Sequence, residues 1–105
     1  MIKIEVKKQN NDIIGFYLLG HAGAGEYGED IVCASVSILT INCINSIEEL
    51  CEEEFSLDSD EERGMIDFSL NHKPSKESSL LLQSWLMGIS AIADQYRDYV
   101  TLINR

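Results

Sequence analysis

The sequence predicts an α+β fold, a two-layer ββαββα sandwich in which one four-stranded sheet is covered by two helices. Three observations lead to that expectation. Four short stretches alternate apolar and polar residues with a period of two. Two longer stretches repeat apolar residues every three or four positions. The order along the chain is two strands, a helix, two strands, a helix.

In the first stretch Ile2, Ile4 and Val6 share one face and Lys3, Glu5 and Lys7 the other, which predicts a half-buried strand over 2–7. Gln9-Asn10-Asn11-Asp12 is turn chemistry, because Asn and Asp tolerate positive φ. A second strand over 13–19, with Ile14, Phe16 and Leu18 inward, closes a hairpin. After the glycine-rich segment 20–28, a helix is expected from about 30 to 50. Val32, Val36, Leu39, Cys43, Ile47 and Leu50 form its stripe, and Ile31, Ile38, Ile41 and Ile44 widen it, so it should be buried over much of its circumference. The acidic run Glu48, Glu49, Glu52, Glu53 and Glu54 opposes the helix dipole and reads as a solvated face. Phe55 and Leu57 start a third strand, 58–64 is a charged turn, and 65–70 is a fourth strand with Ile66, Phe68 and Leu70 inward. Beyond Pro74 a long helix is expected from 75 to 104, with Leu81, Trp85, Ile89, Ile92, Tyr96, Tyr99 and Ile103 as its stripe and Trp85 in the core.

A chain of 105 residues is the size of one domain, 1–105, and can fold without a metal or a disulfide. Its 45% apolar and 25% charged residues are ordinary for a soluble globule. No apolar run approaches the ~18 residues of a membrane span, and the opening alternation lacks a signal peptide's apolar core. The expectation is a cytoplasmic protein with no membrane partner. A net charge of -10 argues against direct nucleic-acid binding, which depends on neutralising phosphates, and favours basic partners by steering. Cys33, Cys43 and Cys51 are too far apart along one helix to bridge, so reduced thiols are expected.

The candidate site is the stretch from Gly20 to Ser37. It carries His21 ahead of the glycines Gly23, Gly25 and Gly28, then Glu29-Asp30, then Cys33 in the expected first helical turn. A thiol there lies among unpaired N–H groups and the positive end of the helix dipole. An imidazole partner completes the minimum for a thiolate nucleophile. Asp30 suits either an N-cap or a group orienting His21. Ser37, one turn after Cys33, could contact sulfur or substrate, or bond back to the Cys33 carbonyl. The helix-start amides could serve as an oxyanion hole. Gly23-Ala24-Gly25-Glu26-Tyr27-Gly28 is a literal GxGxxG, but a hairpin precedes it and acidic residues at the helix start would repel a pyrophosphate. Two histidines and three dispersed cysteines make a poor zinc set. No metal or cofactor is expected.

This stretch resembles a bacterial family of small cysteine proteases, the ribosomal-processing protease Prp. The family's pattern of Gly-His, a glycine-containing loop, Gly-x-Asp-Ile-Val-Cys-Ala and a serine is matched by Gly20-His21, Gly28, Asp30-Ile31-Val32-Cys33-Ala34 and Ser37. The resemblance implies a cytoplasmic, homodimeric endopeptidase. Such enzymes remove an N-terminal extension from large-subunit ribosomal protein L-twenty-seven, which would otherwise occupy the peptidyl-transferase centre. Carried over by position, Cys33 is the nucleophile, His21 the general base and acid, and Gly20, Asp30 and Ser37 are supporting residues. Ala22, Gly23, Ala24, Gly25, Glu26, Tyr27, Gly28 and Glu29 form the substrate loop. The rival readings are a non-catalytic ribosome-associated binding module, indifferent to Cys33→Ala, and a thiol-redox protein, which would need a resolving cysteine near Cys33.

Overall fold

The computed structural model describes residues 1–21 and 27–104, with the backbone alone over 27–30. In chain order it contains β1 (Ile2–Gln9), β2 (Asp12–Leu19), α1 (Tyr27–Ser46), a π-helical turn (Ile47–Cys51), β3 (Phe55–Asp60), β4 (Met65–Leu70), α2 (Lys76–Gln95) and β5 (Val100–Ile103). The α+β class stands, but the sheet has five strands in the order β3-β4-β2-β1-β5 rather than four. The extra strand replaces the end of the expected final helix. α2 stops at Gln95, the Tyr96 N–H closes on the Ile92 carbonyl, and Val100-Thr101-Leu102-Ile103 pairs parallel to β1 from Ile2↔Val100 to Glu5↔Ile103. β-branched residues suit a pleated edge better than a helix end. Here they bury Val100 and cover a β1 edge that would otherwise present unpaired backbone.

The first hairpin turns at Asn10 and Asn11, both at positive φ, the geometry a two-residue hairpin loop requires. Its register shifts between Lys7 and Lys8, so that Gly15 pairs with Lys7 and Ile13 with Lys8. Ile14 is the extra residue of this bulge, and Ile13 takes the core position expected of Ile14. In the second hairpin β3 continues to Asp60, so the turn is 61–64 rather than 58–64.

Phe16 sits at the centre of the core, stacked on Trp85 with ring centroids 4.3 Å apart and on Phe68 at 5.0 Å. From α1 and the turn after it, Val32, Val36, Thr40, Cys43, Ile44 and Ile47 are buried. Ile31, Ile38, Ile41 and Leu50 are exposed, so the helix is buried along one face and not over most of its circumference. By length and composition alone Ile31–Cys51 could cross a membrane. A search for apolar runs missed this because Ser, Thr and Asn punctuate the segment, whose charged residues are Glu48 and Glu49 at its end. In this fold it packs beside α2, and its buried residues join the core cluster.

α1 begins at Tyr27, three residues earlier than expected. Asp30 is therefore its fourth residue and not an N-cap, and Cys33 lies in the second turn. Acidic residues at 29 and 30 complement the dipole there, and a glycine inside a helix costs only ~1 kcal/mol. The acidic run after α1 also has a part in the fold. Glu53 Oε1 accepts from the Ser75 N–H at 2.8 Å and the Ser78 hydroxyl at 2.9 Å, while Ser75 Oγ caps the Ser78 N–H at 3.1 Å. These contacts start α2 and hold the Glu53 carboxyl below its ordinary value, the Ser75 hydrogen bonds being the largest cause.

Candidate active site

His21 leaves the end of β2 through Gly20, which has a φ of +107° and would put a Cβ 2.4 Å from the Met1 carbonyl oxygen. Only glycine fits there. The Gly20 N–H is shared between the carbonyls of Arg63 at 3.2 Å and Gly64 at 3.1 Å. The Met1 amino group donates to the His21 carbonyl at 2.9 Å. The exposed imidazole is 3.0 Å from the Glu62 carbonyl oxygen through Nε2. Gly64, at φ +62°, packs so close that a Cβ would stand 2.6 Å from the Gly20 oxygen and 3.0 Å from His21 Cε1. The turn between β3 and β4 thus touches both the backbone before His21 and its ring.

Cys33 is half-buried on α1 and packed against the core cluster. Ser37 follows one turn later on the same helix. The back-bonded serine is Ser35, whose Oγ donates to the Ile31 carbonyl at 2.8 Å. Gly20, His21, Cys33 and Ser37 all line one cavity of about 480 Å³. Leu18, Leu57 and Ile66 of the sheet and Val36, Ile41 and Ile44 of α1 supply its apolar lining, with Asp60 and Glu61 from the β3–β4 hairpin beside them. Among the described residues no hydrogen bond joins His21 to Cys33; in resting enzymes such bonds are often long and tighten only around substrate.

The predicted substrate-loop residues Ala22, Gly23, Ala24, Gly25 and Glu26 lie outside the described residues. Tyr27, Gly28, Glu29 and Asp30 belong to α1 by their backbone, and their side chains, with any orienting role of Asp30, lie outside as well. With Cys33 in the second turn, the first-turn amides expected to form an oxyanion hole belong to residues further back. Met1, Glu62 and Gly64 were missed by sequence reasoning. Only a glycine ending the charged turn 58–64 gave any signal, and nothing tied it to a histidine 43 positions earlier.

Cys43 is buried, and its thiol is pushed up to about 12 by burial first and by Cys51 second, which suits a packing residue and not a nucleophile. Among the described residues no three His, Cys, Asp or Glu side chains are grouped to hold a metal. β2, the strand before the glycines, runs antiparallel to both of its neighbours, so the parallel βαβ unit of a dinucleotide site is not built there.

A family model described as cysteine protease Prp matches residues 1–101. A curated relative, the ribosomal processing cysteine protease Prp of Staphylococcus aureus, is 32% identical over 83 residues, covering 79% of this chain and 78% of its own. The solved structure of the S. aureus ribosomal processing protease Prp with a covalently linked product peptide is similar at a TM-score of 0.90 and 27% identity, over 100% of both chains. The same protease with a substrate peptide gives a TM-score of 0.91 at 26% identity, again over 100% of both.

Proposed function

The chain belongs to the cysteine protease Prp family, and on that premise we propose that it is a cytoplasmic endopeptidase that removes the N-terminal extension of large-subunit ribosomal protein L-twenty-seven. As a family member it is a cysteine protease acting on polypeptide. The particular substrate and the residue roles are the proposal. The observation that carries it is the convergence of His21 and Cys33, from separate elements, on one cavity with an apolar lining.

In this reading His21 takes the proton from Cys33 Sγ, and the thiolate attacks the carbonyl carbon at the end of the extension. The C–N bond breaks as His21 returns the proton to the leaving amine. Water, deprotonated by His21, then attacks the thioester, freeing the carboxylate of the extension and restoring the thiol. Gly20 positions the histidine, Ser37 offers a hydroxyl to the peptide, and Asp30 is a supporting residue. Thiol, imidazole and water complete the cycle, so the proposal includes no metal or cofactor. Asp60, Glu61 and the net charge of -10 support attraction of a basic ribosomal protein and not of nucleic acid.

A second copy of the chain is the proposed partner of the outer face of α1. Ile31 and Ile38, seven residues apart, are 41% and 68% exposed there. Such a pair suits a helix-mediated homodimer.

The test mixes purified protein with the ribosomal protein carrying its extension and follows substrate mass. Loss of the extension with wild type but not with Cys33→Ala is the expected result. An intact substrate with folded wild type in its reduced form would overturn the assignment and favour a binding module.

A further inference from the structure

We propose that the β3–β4 turn is the orienting member of the catalytic apparatus: the Glu62 carbonyl and Gly64 hold the His21 ring so that Nδ1 is the nitrogen that takes the thiol proton. The inference rests on the reading of His21 as base and adds which of its atoms acts and what aims it.

A carbonyl oxygen can only accept, so the 3.0 Å contact between Nε2 and the Glu62 oxygen requires a proton on Nε2. Neutral imidazole carries a single N–H, which leaves the lone pair on Nδ1. When the ring becomes imidazolium the Nε2 bond persists, and the carbonyl dipole faces the new positive charge. An acceptor behind the histidine that fixes tautomer and orientation is the part a carboxylate plays in a Ser-His-Asp triad. Here a backbone carbonyl 41 residues further along the chain occupies that place.

The turn is itself well held. Asp60 Oδ1 accepts from the N–H of Glu62 at 3.1 Å and of Arg63 at 3.4 Å. The Gly64 N–H closes on the Glu61 carbonyl at 3.2 Å. Gly64 then fits against both Gly20 and the ring edge at Cε1. A ring rotated by half a turn would aim carbon and not nitrogen at the Glu62 oxygen and lose the bond. Glu62 and Gly64 are therefore positioning residues, and Asp60 supports them at one remove.

Two measurements test this without a peptide substrate. The first is ring nitrogen NMR on wild-type protein labelled with ¹⁵N-histidine. The chain has two histidines, and His72→Gln assigns the other. The expected neutral form of His21 is protonated on Nε2 and bare on Nδ1; the opposite tautomer overturns the proposal, whatever any variant does. The second is the rate of Cys33 alkylation by iodoacetamide against pH, read by peptide mass, in wild type, His21→Ala, Gly64→Ala and Asp60→Ala, with circular dichroism to check folding. The expected result is that His21→Ala removes the histidine-dependent step of the profile and that folded Gly64→Ala largely removes it too, with Asp60→Ala between them and wild type. A profile changed by His21→Ala and untouched by the two turn variants overturns the positioning role and leaves the catalytic pair standing. A profile indifferent to His21→Ala overturns both.

Discussion

Replacing Thr40 by Val should destabilise the protein although the two side chains have nearly the same shape. Thr40 is completely buried on α1, and its Oγ1 accepts from the indole N–H of Trp85 on α2 at 3.1 Å. Valine puts a methyl group where the acceptor was. The indole N–H is then left without a partner in a place water does not reach, which costs about 1–3 kcal/mol. A chain of 105 residues unfolds with an entropy on the order of 0.22 kcal/mol/K, so the midpoint of thermal unfolding should fall by roughly 5–14 °C. Far-UV circular dichroism follows unfolding in every variant, because Trp85 is the only tryptophan and the cycle that follows removes it. Adding Trp85→Phe closes a double-mutant cycle: the second change removes the orphaned donor, and the pair should cost less than the sum of the singles by on the order of 1 kcal/mol. A Thr40→Val midpoint within ~0.5 kcal/mol of wild type, or an additive cycle, would refute the reasoning. The bond would then add nothing to the seam that seats α1, and with it Cys33, against the rest of the fold.

Glu53→Gln keeps an acceptor for Ser75 and Ser78 but removes the charge that strengthens both bonds, and should cost on the order of 1 kcal/mol. Because the Glu53 carboxyl sits below its ordinary 4.5, its contribution is complete above that pH and is lost as pH falls through the lowered native value; acid unfolding of the variant should lack that slope. Iodoacetamide at pH 8 should label Cys33 and spare Cys43, whose thiol stays protonated until about 12; peptide mass mapping with equal labelling of the two would contradict the burial argument. Above pH 9 the unfolded chain ionises Cys43 and the folded chain does not, so stability should decline from pH 9 towards 12 by this route. Ile38→Glu should leave a monomer folded as wild type in sedimentation runs, and an unchanged dimer would show that α1's outer face is not the interface.

The elements with strong period or strong chemistry were legible in the sequence. β4 was expected at 65–70 and is found as Met65–Leu70, because Ile66, Phe68 and Leu70 alternate without interruption. α2 begins at Lys76, one residue from the expected start at 75. The misses share a cause, since tertiary pairing decided what local pattern could not. Residues 100–103 continue a helical stripe on paper, and only the free edge of β1 makes them a strand. Ile14 keeps perfect alternation, and only the Lys7–Lys8 register shift moves it out of the core. Among five clustered glutamates, nothing local distinguishes Glu53, which the start of α2 selects from more than twenty positions away.

The candidate site follows the same division. His21 and Cys33 carry their chemistry in their own names, and their spacing belongs to one short motif, so a sequence can announce them. The contacts that aim His21 come from Met1, Glu62 and Gly64. Cys33 is seated by a helix whose hold on the core runs through residues as distant as Trp85. All three contacts on His21 act through backbone atoms, the Met1 amino group, the Glu62 carbonyl and the close-packed Gly64, and leave no side-chain signature to read. That placement has a physical advantage. A carbonyl carries no net charge to be desolvated or titrated, so it can fix the imidazole without adding another acid to a surface at -10. A carboxylate in the same place would bring a second charge and a second titration beside the ring, and the carbonyl brings neither.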